Sequence, residues 1–336
     1  MTWPPVTWLP VTWLYVPGDR PERFAKAVAS GADVVILDLE DAVAPAKKDE
    51  ARDNAVAYLR SRPTTAGQVH VRVNDLATAR GRDDLAAVGE LADAVRLPKV
   101  ESAAALDAVT GAPAYALLES AAGIVAAGEI AAHPRVAGVA LGEQDLAAEL
   151  AITDEQAMNH LRLQVVLAAA AAGLPPVPMS VYPNVKDEAG LLASCRAGRA
   201  IGLFGRTAIH PRQIPLIRRA FRPSEEEAAR AAEVVEAAER AEAAGLGAVA
   251  LPDGRFVDAP IVTRARRTLA LSHRLTDPPE AAAAARAEDR ARERAEGADE
   301  GPGRAEGADE GRVRDREEGR PGDRAVGSPE APVSDA

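Results

Sequence analysis

Short apolar runs alternate along the chain with longer stretches in which apolar residues recur every three or four positions. The runs predict eight strands, at 13–16, 34–39, 69–73, 94–100, 115–119, 136–141, 176–182 and 201–209. The longer stretches predict eight helices, at 21–30, 46–61, 82–92, 101–109, 121–132, 154–172, 186–198 and 211–220. Because the runs lack polar alternation, both faces of each strand are expected to be buried, as in a parallel sheet.

Eight β/α units within about 210 residues predict an α/β fold of the (β/α)8 TIM-barrel type, over residues 12–222. A doubly wound open sheet is the alternative, but no glycine-rich phosphate loop follows the first strand. A helical and hairpin segment is predicted at 223–277. Its first helix begins with a capping box of Ser224 and Glu227.

The two ends of the chain depart from this pattern. Residues 1–11 form a predicted N-terminal extension, which holds the first of two tandem copies of PVTWL. Residues 278–336 contain few large apolar side chains and repeat the sequence RAEGADEG, which predicts a disordered acidic tail.

Charge and composition narrow the class of protein. The tail carries a net charge of −6 of the total −11, so the body is only mildly acidic and does not suit nucleic-acid binding. No apolar run is long enough to span a membrane, and the N-terminus lacks the basic region of a signal peptide. The single cysteine, Cys195, suits a reducing compartment, so a cytoplasmic enzyme is expected.

Acidic residues and one arginine stand where predicted strands end, which is where (β/α)8 enzymes place their chemistry. Glu40 and Asp41 follow the second strand, Arg72 ends the third, Glu119 ends the fifth, and Asp145 follows the sixth. Carboxylates packed together raise one another's pKa unless a cation lies among them. An all-oxygen set favours Mg²⁺, and no Cys/His cluster has zinc spacing.

Eight segments carry a resemblance to a known family. In chain order they read YVPGDRPERFAKA, DVVILDLEDAV, VRVN, RLPKVES, LLESAAGI, GVALGEQDLAAEL, SVYP and IHPRQI. Together they resemble the citrate lyase beta-subunit-like (CitE-like) proteins of the HpcH/HpaI aldolase group. The resemblance implies a Mg²⁺-dependent carbon–carbon lyase or synthase of acyl-CoA thioesters. Glyoxylate, pyruvate or oxaloacetate would be its product or co-substrate, and a homotrimer or a dimer of trimers its assembly.

The resemblance also implies roles for individual residues. Glu119 and Asp145 match the metal ligands, and Arg72 matches a catalytic arginine that binds substrate. Glu40 and Asp41 match acids that orient metal-bound water.

Further roles concern substrate and proton transfer. The backbone of Gly142, Glu143 and Gln144 matches the part that receives the substrate carboxylate. Arg20 lies where a CoA phosphate would be held. Asp258 aligns with a catalytic acid/base that relatives bring from a neighbouring subunit.

Structural interpretations of the same residues stay open. Glu119 and Asp145 would also suit the N-termini of following helices. Arg72 would also suit a structural ion pair with Glu40 or Asp41. Alternative functions are a citrate lyase beta subunit acting on a carrier-protein thioester, an aldolase that releases pyruvate without CoA, and a non-catalytic barrel.

Overall fold

Seven strands form one parallel sheet in the computed structural model, which describes residues 9–63, 67–246, 249–251 and 253–276. They are Thr12–Pro17 (β1), Val34–Asp38 (β2), Gln68–Arg72 (β3), Ala94–Leu97 (β4), Ala114–Leu118 (β5), Val136–Leu141 (β6) and Arg206–Ala208 (β7). Their order is β6-β5-β4-β3-β2-β1-β7, with every neighbouring pair parallel. The predicted α/β class with a parallel sheet is confirmed.

The predicted strand at 176–182 is wrong, because only Met179 makes a bridge there, to Arg206. Proline explains the difference. Pro175, Pro176 and Pro178 have no N–H group and cannot donate to a ladder.

The segment 177–181 nevertheless lies between β6 and β7. On the β7 side, Met179 donates its N–H to the Gly205 carbonyl and accepts the N–H of Thr207, each over 3.0 Å. On the β6 side, the Ser180 hydroxyl donates to the Leu141 carbonyl over 2.7 Å. The sheet is therefore a half-barrel whose two edge strands are joined by a proline-rich segment.

Helices follow the strands along the chain. They are Phe24–Val28 (α1), Lys48–Ser61 (α2), Ala79–Val88 (α3), Ala121–Val125 (α4), Ala127–Ala131 (α5), Glu143–Leu150 (α6), Glu155–Ala171 (α7), Glu188–Ala200 (α8) and Gln213–Phe221 (α9). Some predictions differ from the structure. The helix predicted at 101–109 is only a 3-10 turn, Ala103–Leu106, and the helix predicted at 121–132 is divided into α4 and α5. The helix α6 lies where no helix is predicted.

Alternate residues of the strands are buried on opposite faces of the sheet. Val35 and Leu37 pack into the main core with the helices, whereas Val34 and Ile36 pack with Trp13 in a separate interior cluster. Both faces are apolar and buried, which is why the strands lack polar alternation. Each such side chain contributes about 1.5–3 kcal/mol by leaving water.

Two further helices follow the sheet, Glu225–Ala243 (α10) and Ala259–Thr276 (α11), joined by an antiparallel hairpin of Val249–Ala250 (β8) and Phe256–Val257 (β9). The predicted capping box of α10 and the hairpin are both present. No helix in the described ranges is long and apolar enough to cross a membrane. The predicted tail at 278–336 and the first PVTWL copy, except Leu9, lie outside the described residues.

The last described helix is tied to the beginning of the first strand. In α11, Arg274 donates to the Leu9 carbonyl and lies 3.6 Å from Asp33. Asp33 in turn accepts the N–H groups of Val11 and Thr12 over 2.9 and 3.0 Å. These contacts fix the start of β1 at the end of the sheet opposite the predicted site.

Candidate active site

A cavity of about 370 Å³ lies at the carboxyl ends of the strands. Of the residues predicted for the site, those that line it are Asp41, Arg72, Glu119, Gly142, Glu143, Gln144 and Asp145. A larger cavity, of about 880 Å³, is lined by residues of α7, α10 and α11 and by none of the predicted site residues. The chemistry therefore points to the smaller cavity, whose volume suits a small ligand.

Glu119 and Asp145 approach each other over Gly142. A Cβ atom on Gly142 would lie 2.7 Å from Glu119 Oε2 and 3.4 Å from Asp145 Oδ2. The two carboxylates reach this point because Glu119 follows β5 and Asp145 is in the first turn of α6, directly after β6. A glycine is needed between them, since any side chain would fill the space that they share.

The electrostatic environment of Glu119 favours a cation. Burial raises its pKa to about 7, and the charges of Glu40 and Asp145 act in the same direction. One stabilising contact is the backbone N–H of Lys99, which donates to Glu119 Oε1 over 2.9 Å. Because the buried carboxyl of Glu119 is costly to ionise alone, a cation placed beside it stabilises the ionised form.

Arg72 is held by acids on its own side of the cavity. Its Nε and Nη2 donate to the two oxygens of Asp38, each over 2.7 Å, and Nη1 lies 3.0 Å from Glu40 and 3.1 Å from Asp41. The guanidinium also lies over the Tyr15 ring, 4.8 Å from its centre. Burial opposes its charge, but the hydrogen bonds and charge of Asp38 raise its pKa overall, so Arg72 is a fixed cation.

Glu40 links Arg72 to Lys99. It is buried, and its Oε1 accepts Lys99 Nζ over 2.8 Å. Burial raises the pKa of Glu40, whereas Arg72 and Lys99 oppose the rise. The hydrogen bond with Glu40 raises the pKa of Lys99, so the lysine stays charged.

The first turn of α6 presents backbone N–H groups at the cavity. Gly142 is its N-cap, and the N–H groups of a first helical turn have no acceptor within the helix. Such a turn is suited to binding an anion. The side chain of Glu143 is turned to Arg162, with oxygens 3.1 and 2.5 Å from its Nε and Nη2, so only the backbone of Glu143 is available.

A divalent cation fits this donor set. Among the described residues, no group of three or more His, Cys, Asp or Glu side chains has the arrangement of a metal site. Mg²⁺ needs fewer protein ligands, because it keeps several waters and binds one or two carboxylates together with substrate oxygens. Glu119 and Asp145 supply that number.

Comparison with known proteins agrees with this arrangement. The model of the HpcH/HpaI aldolase/citrate lyase family matches residues 12–211. This chain belongs to that family. The predicted resemblance to citrate lyase beta-subunit-like proteins is therefore confirmed, and the protein is an enzyme of the carbon–carbon lyase class, as predicted.

The alignments with individual relatives span nearly the whole length of each relative. A (3S)-malyl-CoA thioesterase of Cereibacter sphaeroides is 42% identical over 270 residues, covering 76% of this chain and 92% of the relative. An L-malyl-CoA/beta-methylmalyl-CoA lyase of the same species is 34% identical over 294 residues, covering 76% and 92%. The structure of CitE from Mycobacterium tuberculosis, in complex with magnesium, acetoacetate and coenzyme A, aligns with a TM-score of 0.70 at 37% identity, covering 80% and 99%.

Besides Glu40, which contacts Arg72, two residues that the family resemblance singled out lie outside the cavity lining. Arg20 is half-exposed, and its nearest acid is Asp19 at 3.9 Å. Asp258 precedes α11 and accepts the N–H of Ile261 over 3.2 Å. Within this one chain, the structure does not bring either of them to Glu119 and Asp145.

Two other residues of the site were missed by the sequence reasoning. Asp38 is the main partner of Arg72, and Lys99 contacts both Glu40 and Glu119. The signal for Asp38 was its position two residues before Glu40, which places both side chains on one face of an extended chain. Lys99 follows β4, so it lies at the same rim of the sheet as the acidic residues of the site.

Proposed function

We propose that this protein is a Mg²⁺-dependent lyase that cleaves the carbon–carbon bond of a 3-hydroxyacyl-CoA thioester such as malyl-CoA or citramalyl-CoA, or catalyses the reverse condensation. The observation that carries the proposal is the meeting of Glu119 and Asp145 over Gly142, in the cavity that Arg72 lines. The names of the relatives support the thioester as the substrate class.

Glu119 and Asp145 would hold the magnesium ion. When bound, it supplies Lewis-acid stabilisation to the oxygens of the oxo-acid part of the substrate. The N–H groups of the first turn of α6 bind the carboxylate of that part. Glu40 and Asp41 would not bind the ion directly. They would orient the water bound to it, and they hold Arg72 in place.

Cleavage requires that a base remove the proton of the 3-hydroxyl group. The bond between C2 and C3 then breaks, its electron pair stays on the thioester fragment as an enolate, and C2 takes up a proton. Arg72 stabilises the negative charge, because Asp38 keeps the guanidinium oriented and ionised. A single donor of this kind contributes about 3–4 kcal/mol.

The assembly supplies the base in this proposal. We place Asp258 of a neighbouring subunit at the cavity of a homotrimer, or of a dimer of trimers, as the acid/base group. Arg20 at the rim of the barrel contacts a CoA phosphate. The segment 177–181 takes the place of the seventh strand, so that residues 12–222 close a (β/α)8 barrel in a cytoplasmic enzyme.

The test is to incubate the purified full chain with Mg²⁺ and malyl-CoA or citramalyl-CoA and to identify the products by mass spectrometry. A lyase gives acetyl-CoA with glyoxylate or pyruvate. Asp145→Asn should abolish turnover, whereas Asp154→Asn, which alters the N-cap of α7 but keeps a capping side chain, should not. Full turnover by the Asp145 variant would contradict the proposed metal site.

The same assay separates the other candidates. Thioester hydrolysis, as named for the relative from Cereibacter, gives free malate and free CoA instead. Turnover of a citryl thioester on a carrier protein, without turnover of CoA esters, would identify a citrate lyase beta subunit. Release of pyruvate without any calorimetric binding of CoA would identify an aldolase.

A further inference from the structure

Arg96 is a buried arginine at the inner end of the active-site cavity. It lies on β4, in register with Arg72 of β3 and Tyr115 of β5. Its residue surface is 1% exposed, and it lines the cavity together with Arg72 and Glu119. The arginine side chain therefore belongs to the wall that a bound substrate faces.

No carboxylate forms an ion pair with Arg96 among the residues that the structure describes. Its Nε and Nη2 are buried without a hydrogen-bond partner. Its neighbours include the Tyr115 ring, 5.1 Å from the guanidinium carbon, and Arg72, a second cation. Burial lowers the pKa of Arg96, Tyr15 and Tyr115 oppose the shift, and the charge of Arg72 adds to it.

A second buried arginine shows what a structural role requires. Arg206 on β7 donates from Nε to the Ser180 carbonyl over 3.0 Å and from Nη2 to the Ser194 hydroxyl over 3.0 Å. Its Nη1 lies 3.5 Å from Cys195 Sγ. A buried charge is tolerated when its donors are used in this way, and it is costly when they are not. Arg96 lacks such partners within the fold, so a ligand is the natural source of them.

We propose that Arg96 forms an anion subsite at the inner end of the cavity, which takes the second carboxylate of a dicarboxylic oxo acid. This inference rests on the proposed function and narrows its substrate. The three oxo acids differ in the substituent on the carbonyl carbon, which is a hydrogen in glyoxylate, a methyl group in pyruvate and a carboxymethyl group in oxaloacetate. Only the last places a negative charge where Arg96 would pair with it, so among the 3-hydroxyacyl thioesters of the proposed function a citryl-type thioester gains the most from Arg96.

The first test is calorimetric binding of oxaloacetate and of pyruvate to the Mg²⁺-loaded protein, without CoA. Wild type should bind oxaloacetate more tightly than pyruvate. Arg96→Met should weaken the binding of oxaloacetate by roughly 100-fold and leave the binding of pyruvate nearly unchanged, because only the dicarboxylate loses a buried charge pair. Arg96→Lys, which keeps the charge, should recover part of the preference.

Thermal unfolding gives a second measurement. Replacing an unpartnered buried cation by methionine should leave the melting temperature unchanged or raise it, since ligand-binding residues are often kept at the expense of stability. Arg206→Met is the matched control. It removes a fully partnered arginine, so it should lower the melting temperature and leave the ratio of the two oxo-acid affinities as in wild type.

The outcomes separate this inference from the proposed function. Wild-type protein that binds pyruvate as tightly as oxaloacetate, or an Arg96→Met variant with an unchanged affinity ratio, would overturn the subsite. Condensation of acetyl-CoA with pyruvate alone would also overturn it, while the lyase function would stand. Tight oxaloacetate binding that depends on Arg96, without condensation on acetyl-CoA, would leave the subsite and overturn the CoA thioester as the proposed substrate.

Discussion

Lys99 donates its backbone N–H to Glu119 over 2.9 Å, and its own backbone is left-handed, with a φ of 53°. This conformation costs a residue with a side chain about 1–2 kcal/mol. Strain of this kind persists where the surrounding structure imposes it, often at functional sites. Here it directs the N–H at a proposed metal ligand while the lysine side chain contacts Glu40.

Substitutions of Lys99 should separate its backbone role from its charge. Lys99→Gly removes the strain and keeps the N–H group, so Mg²⁺ affinity should stay close to that of wild type. Lys99→Val keeps a side chain that is least suited to a positive φ, so it should be less stable than the glycine variant by about 1–2 kcal/mol. Urea unfolding measures the difference, and equal stability of the two variants would contradict the strain.

Gly142→Ala should damage the metal site directly. The new Cβ would lie 2.4 Å from Glu119 Cβ and 2.7 Å from Oε2, so the ligand must move. Displacing a ligand or its support typically weakens metal binding by about 10–100-fold. Titration calorimetry with Mg²⁺ measures the loss. Gly128→Ala in α5 is the control, because among the described residues the new Cβ would meet nothing within 4 Å beyond the local backbone of its own helix, so Mg²⁺ affinity should not change.

Magnesium binding should depend on pH through Glu119. Its pKa is raised from 4.5 to about 7 in the metal-free protein, so the carboxyl must lose a proton to bind the ion below that pH. Affinity should therefore increase with pH up to about 7 and then level off. Calorimetry in buffers of different ionisation enthalpy would measure the released proton.

The raised pKa of Glu119 also determines whether the metal-free protein gains or loses stability as pH rises. Because the folded state holds this proton more tightly than the unfolded state, Glu119 makes the metal-free protein less stable as pH rises from 4.5 through about 7. Glu119→Gln should remove this part of the pH dependence. A stability profile that is the same in both proteins would contradict the raised pKa.

Asp38 and Asp41 should differ in their importance although both contact Arg72. Asp38 is buried and accepts two hydrogen bonds from Arg72 and two from the backbone N–H groups of Glu40 and Ala42, whereas the side chain of Asp41 is 66% exposed and accepts one from Arg72. Asp38→Asn leaves a buried cation poorly compensated and should cost about 3 kcal/mol of stability. Asp41→Asn should cost less than about 1 kcal/mol. Denaturant unfolding of both variants checks the order.

Much of the fold followed from the hydrophobic pattern because six consecutive strands are buried on both faces and are marked by continuous apolar runs. The pattern failed at 176–182, where the residues are apolar but prolines remove the donors that a ladder needs. It also missed α6, which directly follows β6 and whose first-turn acids suit the start of a helix.

The sequence predicted those residues of the candidate site that lie at the ends of strands. Glu119, Asp145 and Arg72 end or follow strands, and parallel topology brings such positions to one rim. The pairing of Arg72 with Asp38 was not predicted, because it depends on the register of two strands. Arg96 was hidden inside an apolar run, where sequence alone does not show whether a charge has a partner.

The proline-rich wall at 177–181 has a consequence for the range of acyl groups. Pro178, Met179, Ser180 and Val181 line the cavity, but their backbone is laddered only towards β7. Because its bond to β6 comes from the Ser180 hydroxyl and not from a backbone ladder, this wall should adapt to a bulkier thioester at a smaller cost than a strand paired on both sides. Tolerance for acyl groups of different size would then reside in this wall, whereas Arg72, Glu119 and Asp145 hold the reacting groups.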